Sequence, residues 1–122
     1  MTISPDLLAF MRHNLTSVWA LELLLLLRSA PDRDWTVAAL VAELRASEPL
    51  VTGVLEHLGR TGLVAANADG SVRYAPAGRA VGALCDQLER AYRQRPVAVI
   101  GAISAPADKL QALADAFRIR GD

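Results

Sequence analysis

The fold of this chain is decided by residues 47–64, which read SEPLVTGVLEHLGRTGLV. Ser47 can cap a helix, because its hydroxyl accepts from free N–H groups of the first turn, and Pro49 fits that first turn. Apolar residues then recur at helical spacing, at Val51, Val54, Leu55 and Leu58. Gly62 is typical of the position after a helix end, where φ is positive. The stretch predicts a helix over 47–61 with one buried side.

A second amphipathic helix is predicted just before it, over 37–44. Thr36 is a good N-cap, and the inward stripe consists of Val37, Leu40, Val41 and Leu44. Residues 45–47 then form a turn between the two helices. Trp35, which precedes the cap, is predicted to form a short strand.

A β-hairpin is predicted after the second helix. Residues 63–66 and 71–75 are predicted to form two short strands, joined by Asn67-Ala68-Asp69-Gly70. The Asp-Gly pair supplies the positive φ that a tight hairpin turn needs.

Two helices are predicted at the N-terminal side. One begins at Ser4-Pro5 and ends near His13 to Asn14, and the next is capped by Thr16 or Ser17 and extends to Arg28. The second contains leucines on every side, at positions 21 and 23–27. A helix that is apolar all round needs cover from more than one neighbour.

A long helix is predicted on the C-terminal side, from Pro76-Ala77 to about Gln94. Its apolar stripe consists of Val81, Leu84, Cys85, Leu88, Ala91 and Tyr92. Pro96 interrupts it, and the period of residues 97–103 does not decide between a short helix and a strand. A last helix starts at 104–106, with the stripe Leu110, Leu113, Ala114 and Phe117.

Composition limits the class of protein. The chain has 122 residues, 52% of them hydrophobic, and 13 positive residues balance 13 negative ones. This predicts one domain and excludes intrinsic disorder. The apolar run 18–27 contains Glu22 and is shorter than the roughly 20 residues of a membrane span. No signal peptide is evident, and a single cysteine, Cys85, suits a reducing compartment, so we expect a cytoplasmic protein.

The order of the predicted elements is helix, helix, turn, helix, two-stranded hairpin and long helix. Residues 47–64 resemble the recognition helix and first wing strand of MarR-like and ArsR-like bacterial regulators, which are winged helix-turn-helix proteins, and the resemblance covers about residues 18–77. It implies a mainly α fold with a small β-hairpin wing and extra N- and C-terminal helices. One domain, 1–122, would then have its core at 16–77, with helices 77–94 and 96–119 for packing or dimerisation. The alternative is an unrelated small α+β domain.

The resemblance implies a DNA-reading face on the outer side of the 47–61 helix. Pro49, Gly53, Glu56 and Arg60 lie opposite its buried stripe. The expected DNA contacts are Arg45, Thr52, Glu56, Arg60 and Arg73, with Glu56 accepting from a cytosine amine. Residues 31–80 carry five positive and six negative residues, a net charge of −1. Few phosphate contacts predict weak binding.

Three classes of function therefore stay open. The first is a non-enzymatic transcription regulator that binds double-stranded DNA. The second is a winged helix repurposed to bind a protein, because the alanines at 38, 39 and 42 and Gly53 make the face smooth and weakly charged. The third is ligand sensing in a cleft between the leucine-rich helix and the terminal helices.

Other candidate sites are weak. His13 and His57 lie apart and form no metal-binding spacing, so no metal or cofactor is expected. Cys85 lies on an apolar stripe and is interpreted as a small buried hydrophobe. Arg90, Arg93 and Arg95 lie at a helix C-terminus, where the backbone dipole favours positive charge. No nucleophile with a neighbouring base is evident, so we predict that the protein is not an enzyme.

A homodimer is the expected assembly. In MarR-like proteins the terminal helices build the dimer, and the resemblance implies the same here. The expected interface residues are Val81, Leu84, Leu88, Tyr92, Leu113 and Phe117.

Overall fold

The computed structural model describes residues 4–104, and this part of the chain consists of six helices and one two-stranded antiparallel hairpin. The helices are α1 (Pro5–Asn14), α2 (Val18–Ser29), α3 (Val37–Leu44), α4 (Glu48–Arg60), α5 (Arg79–Gln94) and α6 (Pro96–Ser104). The strands are β1 (Val64–Ala66) and β2 (Val72–Tyr74). The prediction of a mainly helical chain with a small hairpin is confirmed for these residues. From residue 105 onward, the predicted last helix, which starts at 104–106, lies outside them.

Four of the helices begin where a hydroxyl side chain was expected to cap them. The Oγ of Ser4, Ser17 and Ser47 and the Oγ1 of Thr36 each accept from the backbone N–H three residues later, at 3.1 to 3.3 Å. Each cap satisfies one of the N–H groups that have no partner within the helix. Capping is a local interaction, and for this reason the sequence predicts these helix starts closely.

The hairpin is held by a third, strand-like segment. Val64 pairs with Tyr74 and Ala66 with Val72. Trp35 forms an isolated antiparallel bridge to Val72, in which its N–H donates to the Val72 carbonyl at 2.7 Å and its carbonyl accepts at 2.8 Å. The short strand predicted at Trp35 is therefore confirmed. The bridge connects the hairpin to the loop between α2 and α3.

The hairpin turn is wider than a two-residue turn. The N–H of Asn67 donates to the carbonyl of Ser71 at 2.7 Å, which encloses residues 68–70. Gly70 has a φ of 87°, the conformation in which glycine avoids the strain of a side chain. The prediction of a glycine with positive φ is correct at this position.

The long helix begins later than predicted. It starts at Arg79, whereas the Pro76-Ala77 pair suggested a start at 76–77. The cause is backbone pairing. The N–H of Ala75 donates to the main-chain oxygen of Leu63 at 2.9 Å, and the N–H of Ala77 donates to that of Gly62 at 2.8 Å. The chain therefore stays extended beyond β2.

The leucines of α2 form the centre of the core. Leu21, Leu24 and Leu27 are 0% exposed and Leu23 is 1% exposed, whereas Leu25 and Leu26 are half-buried. The neighbours of α2 include β2, α3, α4 and α6. Residues 97–103, which the sequence left undecided, form part of α6. The all-round apolar helix is thus covered within one chain, by several elements, as its pattern requires.

Polar contacts fix α5 against α2. Arg28 of α2 forms ion pairs with Asp86 and Glu89 of α5. Six residues earlier in α2, Glu22 accepts a 2.9 Å hydrogen bond from the hydroxyl of Tyr92. The single acidic residue in the leucine-rich segment therefore has a partner on α5.

Candidate nucleic-acid interface

The helices α3 and α4 are joined by residues 45–47, and α4 has one buried and one exposed side. Its buried residues are Val51, Val54, Leu55 and Leu58. The residues on the opposite side, Pro49, Gly53, Glu56 and Arg60, are exposed. This division is the one that helical spacing predicts. It leaves a full helix face available for a partner.

The turn between α3 and α4 places Arg45 in an unusual conformation. Its φ of 54° and ψ of 41° lie in the left-handed region, and it is the one non-glycine residue with a positive φ in the described part of the chain. Glycine is the common residue at such a helix end, because a Cβ costs free energy there. The Arg45 side chain is exposed. Strained backbone positions cluster at functional sites, so the conformation of Arg45 favours a functional role for its guanidinium.

Arg73 lies at the centre of the hairpin. It is in β2, opposite Ala65 of β1, and its side chain is exposed. The hairpin loop is ordered by its own side chains: Asp69 Oδ1 accepts from the Ser71 N–H at 2.9 Å and from the Ser71 hydroxyl at 2.6 Å. These bonds to Ser71 lower the pKa of the Asp69 carboxyl. Arg73 therefore lies in a strand that directly follows a hydrogen-bonded loop.

The five predicted DNA contacts differ in exposure. Arg45, Glu56, Arg60 and Arg73 are exposed, and Thr52 is half-buried. On α4, Thr52, Glu56 and Arg60 follow one another at intervals of four residues, which places them along one side of the helix. Arg45 precedes α4 and Arg73 follows it on the hairpin. Three of the arginines that the sequence singled out are thus free to meet a partner of α4.

The outward side of α3 is apolar and carries an acidic residue. Ala38, Ala42 and Glu43 are exposed. Ala39, which was expected to face outward, is half-buried against the core. Arg33, the first positive residue of the segment 31–80, stacks over the Trp35 ring at 3.6 Å from its centroid. The positive potential of this surface therefore depends on few side chains.

A contact between α4 and α1 was not foreseen. Nε2 of His57 lies 3.0 Å from the main-chain oxygen of His13, and because a carbonyl only accepts, the imidazole donates. The two residues are 44 positions apart, so no local pattern indicates their meeting. The contact connects α4 to the end of α1.

Cys85, the single cysteine of the chain, lies in the core beside Tyr74. Cys85 is 0% exposed, and burial raises the pKa of its thiol, an effect that a hydrogen bond from Tyr74 opposes. Burial, and then contact with Cys85, also raises the pKa of Tyr74. Within residues 4–104, no three side chains of the His, Cys, Asp and Glu types are close enough to hold a metal ion.

The residues expected at a dimer interface differ in how deeply they are buried within the chain. Leu88 is 0% exposed and belongs to the core of its own chain. Val81 and Leu84 are half-buried, and the hydroxyl of Tyr92 is bonded to Glu22 of the same chain. Leu113 and Phe117 lie outside the described residues. The most exposed large apolar side chain described is Val97 of α6, at 82%, followed by Trp19 at 41%.

Comparison with protein-family models and with curated proteins found no match for this chain. In the described part of the chain, no helix has both the length and the apolar character needed to cross a membrane.

Proposed function

We propose that this chain is a winged helix-turn-helix protein that binds double-stranded DNA as a homodimer and regulates transcription without catalysis, in the cytoplasm. The order of elements supports the fold. α2, the Trp35 bridge, α3, α4, the hairpin and α5 follow one another as in a winged helix. The bridge from Trp35 to Val72 matters most, because it makes the hairpin part of the same unit as α3 and α4.

The observation that carries the DNA hypothesis is the exposed side of α4 with arginines around it. Arg45 precedes the helix, Arg60 is its last residue, and Arg73 is on the hairpin that follows. All three are exposed. Guanidinium groups suit phosphate oxygens, because they are permanently charged and can donate two parallel hydrogen bonds.

In the proposed complex, α4 lies in the major groove. Thr52 and Glu56 reach base edges, with Glu56 accepting from a cytosine amine, while the three arginines contact phosphates. The net charge of −1 over residues 31–80 keeps non-specific attraction low. The affinity for DNA then depends on both protomers of the dimer and on the correct bases in each half-site. Specific binding with weak non-specific binding is the expected behaviour.

The homodimer is supported by α6. This helix, PVAVIGAIS, contains no charged residue, and Val97, Ala98 and Gly101 are exposed on it. Exposed apolar surface at one place is typical of an interface. We assign it to a second copy, with α6 at the centre of the contact. A dimer would also double the number of arginines that face DNA.

Selection from fragmented genomic DNA of the source organism tests this function. We expect a small set of fragments to be enriched, sharing a motif with two related half-sites, and Arg60→Ala and Arg73→Ala to weaken their binding. Arg90→Ala, at an exposed position of α5, is the control and should bind as the wild type does. Failure to enrich any fragment at low salt would contradict the proposal.

A protein-binding role is the second candidate, and Gly53 favours it. A Cβ at this position would have no described heavy atom within 4 Å, so the centre of the α4 face is smooth and open. Such a surface suits a partner that packs closely.

The substitution Gly53→Arg separates the two roles. Against DNA, the added charge should tighten non-specific binding, with about one further phosphate contact per protomer. Against a protein partner, the bulky side chain should abolish capture. Gln94→Arg, which adds the same charge at an exposed position at the end of α5, is the control.

A further inference from the structure

A groove of about 540 Å³ lies between α1 and α5, which contact each other. Its described lining residues recur at helical spacing on both helices, at Asp6, Ala9, Phe10, His13 and Asn14 of α1 and at Ala80, Leu84 and Gln87 of α5. Each wall therefore extends over two helical turns, about 10 Å. A groove with two helical walls of this length has the shape that receives the apolar side of a third helix.

The walls of the groove combine apolar surface with small residues. Phe10 and Leu84 provide the larger apolar side chains. Ala9 and Ala80 are exposed, and each adds only a methyl group to its wall. The distance between packed helices depends on the side chains at their contact, so small residues let a third helix approach closely.

The chain itself contains a segment with the matching pattern. The described part of the chain ends at Ser104, and residues 105–122 follow it. In this segment, apolar residues recur at positions i, i+3, i+4 and i+7, which are Leu110, Leu113, Ala114 and Phe117. This is the spacing of the anchor residues of a helix that binds in a groove. As a helix, the stripe is two turns long, about 10 Å, which is the length of each wall.

The position of α6 brings this segment to the groove. α6 contacts both α1 and α5, the helices that form the two walls. Five residues separate Ser104, the last residue of α6, from Leu110. An extended chain of this length reaches up to about 20 Å. A short tether gives an effective concentration in the millimolar range, far above that of other chains in dilute solution, so the groove of the same chain is the favoured partner.

The charges of the groove and of the segment are complementary. Asp6 lies at one end of the groove, and none of the described lining residues is Lys or Arg. Lys109 and Arg118 flank the stripe at its two ends, so a positive residue meets the end with Asp6 in either direction of the helix. By helical spacing, Asp108 and Asp115 lie on the opposite side of the segment.

From these observations we infer that residues 105–119 form a helix that packs, through its apolar stripe, into the groove between α1 and α5 of the same chain. The stripe contacts Phe10 and Leu84. Leu113 and Phe117, which were expected at the dimer interface, then serve a contact within one chain. The proposed dimer uses the exposed side of α6 and keeps its surface. The inference does not depend on DNA binding.

A spin label beside the groove tests the contact in the full-length chain. Ala83 is exposed on α5 and is not among the described residues that line the groove, so a nitroxide on Ala83→Cys leaves the groove free. Cys85 is 0% exposed, so the introduced cysteine takes the label. We expect the NMR amide signals of residues 110–117 to lose more than half of their intensity.

The same label on Ala42→Cys, at an exposed position of α3, is the control. It should leave the signals of residues 110–117 intact. Equal intensities with the two labels would overturn the inference.

Two aspartate substitutions locate the contact on the segment. Leu113→Asp places a charge in the stripe, and Ala112→Asp adds the same charge on the opposite side of the helix. With the label on Ala83→Cys, Leu113→Asp should restore the signals of the segment, and Ala112→Asp should keep them weak. Dispersed amide signals from α2 and α4 show that the core of each variant is folded. Signals that stay weak in a folded Leu113→Asp variant would contradict the inference.

A mixed sample distinguishes the same chain from a second copy. Isotope-labelled wild type is mixed with unlabelled chains that carry the nitroxide on Ala83→Cys, so only contacts between chains weaken the signals. We expect residues 110–117 to lose far less intensity than when the nitroxide is on their own chain. An equal loss, corrected for the fraction of chains that carry the nitroxide, would assign the groove to a second copy and contradict the inference. These samples contain no DNA, so failure here and failure of the proposed function are distinguishable.

Discussion

The hydroxyl of Tyr92 donates a 2.9 Å hydrogen bond to Oε1 of Glu22, and this bond ties α5 to α2 within one chain. Tyr92 was expected at a dimer interface. Its hydroxyl instead binds Glu22, which has no other partner among the described contacts of the leucine-rich helix α2, whereas Arg28 of α2 is paired with α5. The bond also raises the pKa of Tyr92, because it favours the protonated hydroxyl.

A double-mutant cycle measures this bond. Tyr92→Phe and Glu22→Ala should each lower the free energy of unfolding, and their effects should be less than additive by about 1 kcal/mol, the typical value of one hydrogen bond. Urea unfolding at neutral pH gives the four values. Strict additivity would show that the two side chains do not interact in solution.

The carboxylate of Asp69 should make the hairpin sensitive to acid. Its lowered pKa means that folding favours the ionised form, so its stabilising effect is present at neutral pH and is lost as pH falls below its ordinary value of 3.8. We expect Asp69→Ala to melt at a lower temperature than the wild type at pH 7, and the difference to shrink below that value. Ala68→Ser in the same loop is the control. A difference that does not depend on pH would contradict the role of the charge.

Arg45 should show opposite effects on stability and on DNA binding. Arg45→Gly relieves the left-handed strain and should stabilise the fold by about 1 kcal/mol, and it should also weaken DNA binding. Arg45→Ala removes the same guanidinium but keeps a Cβ, so it should weaken DNA binding equally without this gain. Urea unfolding and fluorescence anisotropy measure the two quantities. Unchanged DNA affinity in both variants would remove Arg45 from the interface.

The proposed dimer should depend on α6. Val97 is 82% exposed, so Val97→Asp costs little in a monomer and places a charge in the proposed contact. We expect size-exclusion chromatography with light scattering to give a dimer for the wild type at tens of micromolar and a monomer for Val97→Asp. Ala42→Asp, at an exposed position of α3, should stay dimeric. A wild-type monomer at this concentration would contradict the assembly.

Local signals predict much of this fold. The hydroxyl caps at Ser4, Ser17, Thr36 and Ser47 depend on neighbouring residues, and they fix where α1 to α4 begin. The stripe of α4 likewise follows from spacing alone, and with it the exposed side of the candidate interface.

Longer-range contacts account for what the sequence did not predict. The late start of α5 depends on pairing of Ala75 and Ala77 with residues far back in the chain, Leu63 and Gly62. Whether residues 97–103 form a helix or a strand depends on their packing against α1, α2 and α5. An apolar segment without a clear period is compatible with both. The hydrogen bond from His57 to the main-chain oxygen of His13 becomes visible only after α1 and α4 are packed together.

The salt dependence of DNA affinity tests the central claim most directly. A dimer that contacts phosphates through Arg45, Arg60 and Arg73 of each protomer neutralises about six charges, so the logarithm of its affinity should fall against the logarithm of salt concentration with a slope of about −5. Arg60→Ala and Arg73→Ala should each make the slope shallower by about 2, and Arg90→Ala should not change it. No measurable binding at low salt, or the same slope in all four proteins, would contradict the proposal that this face binds DNA.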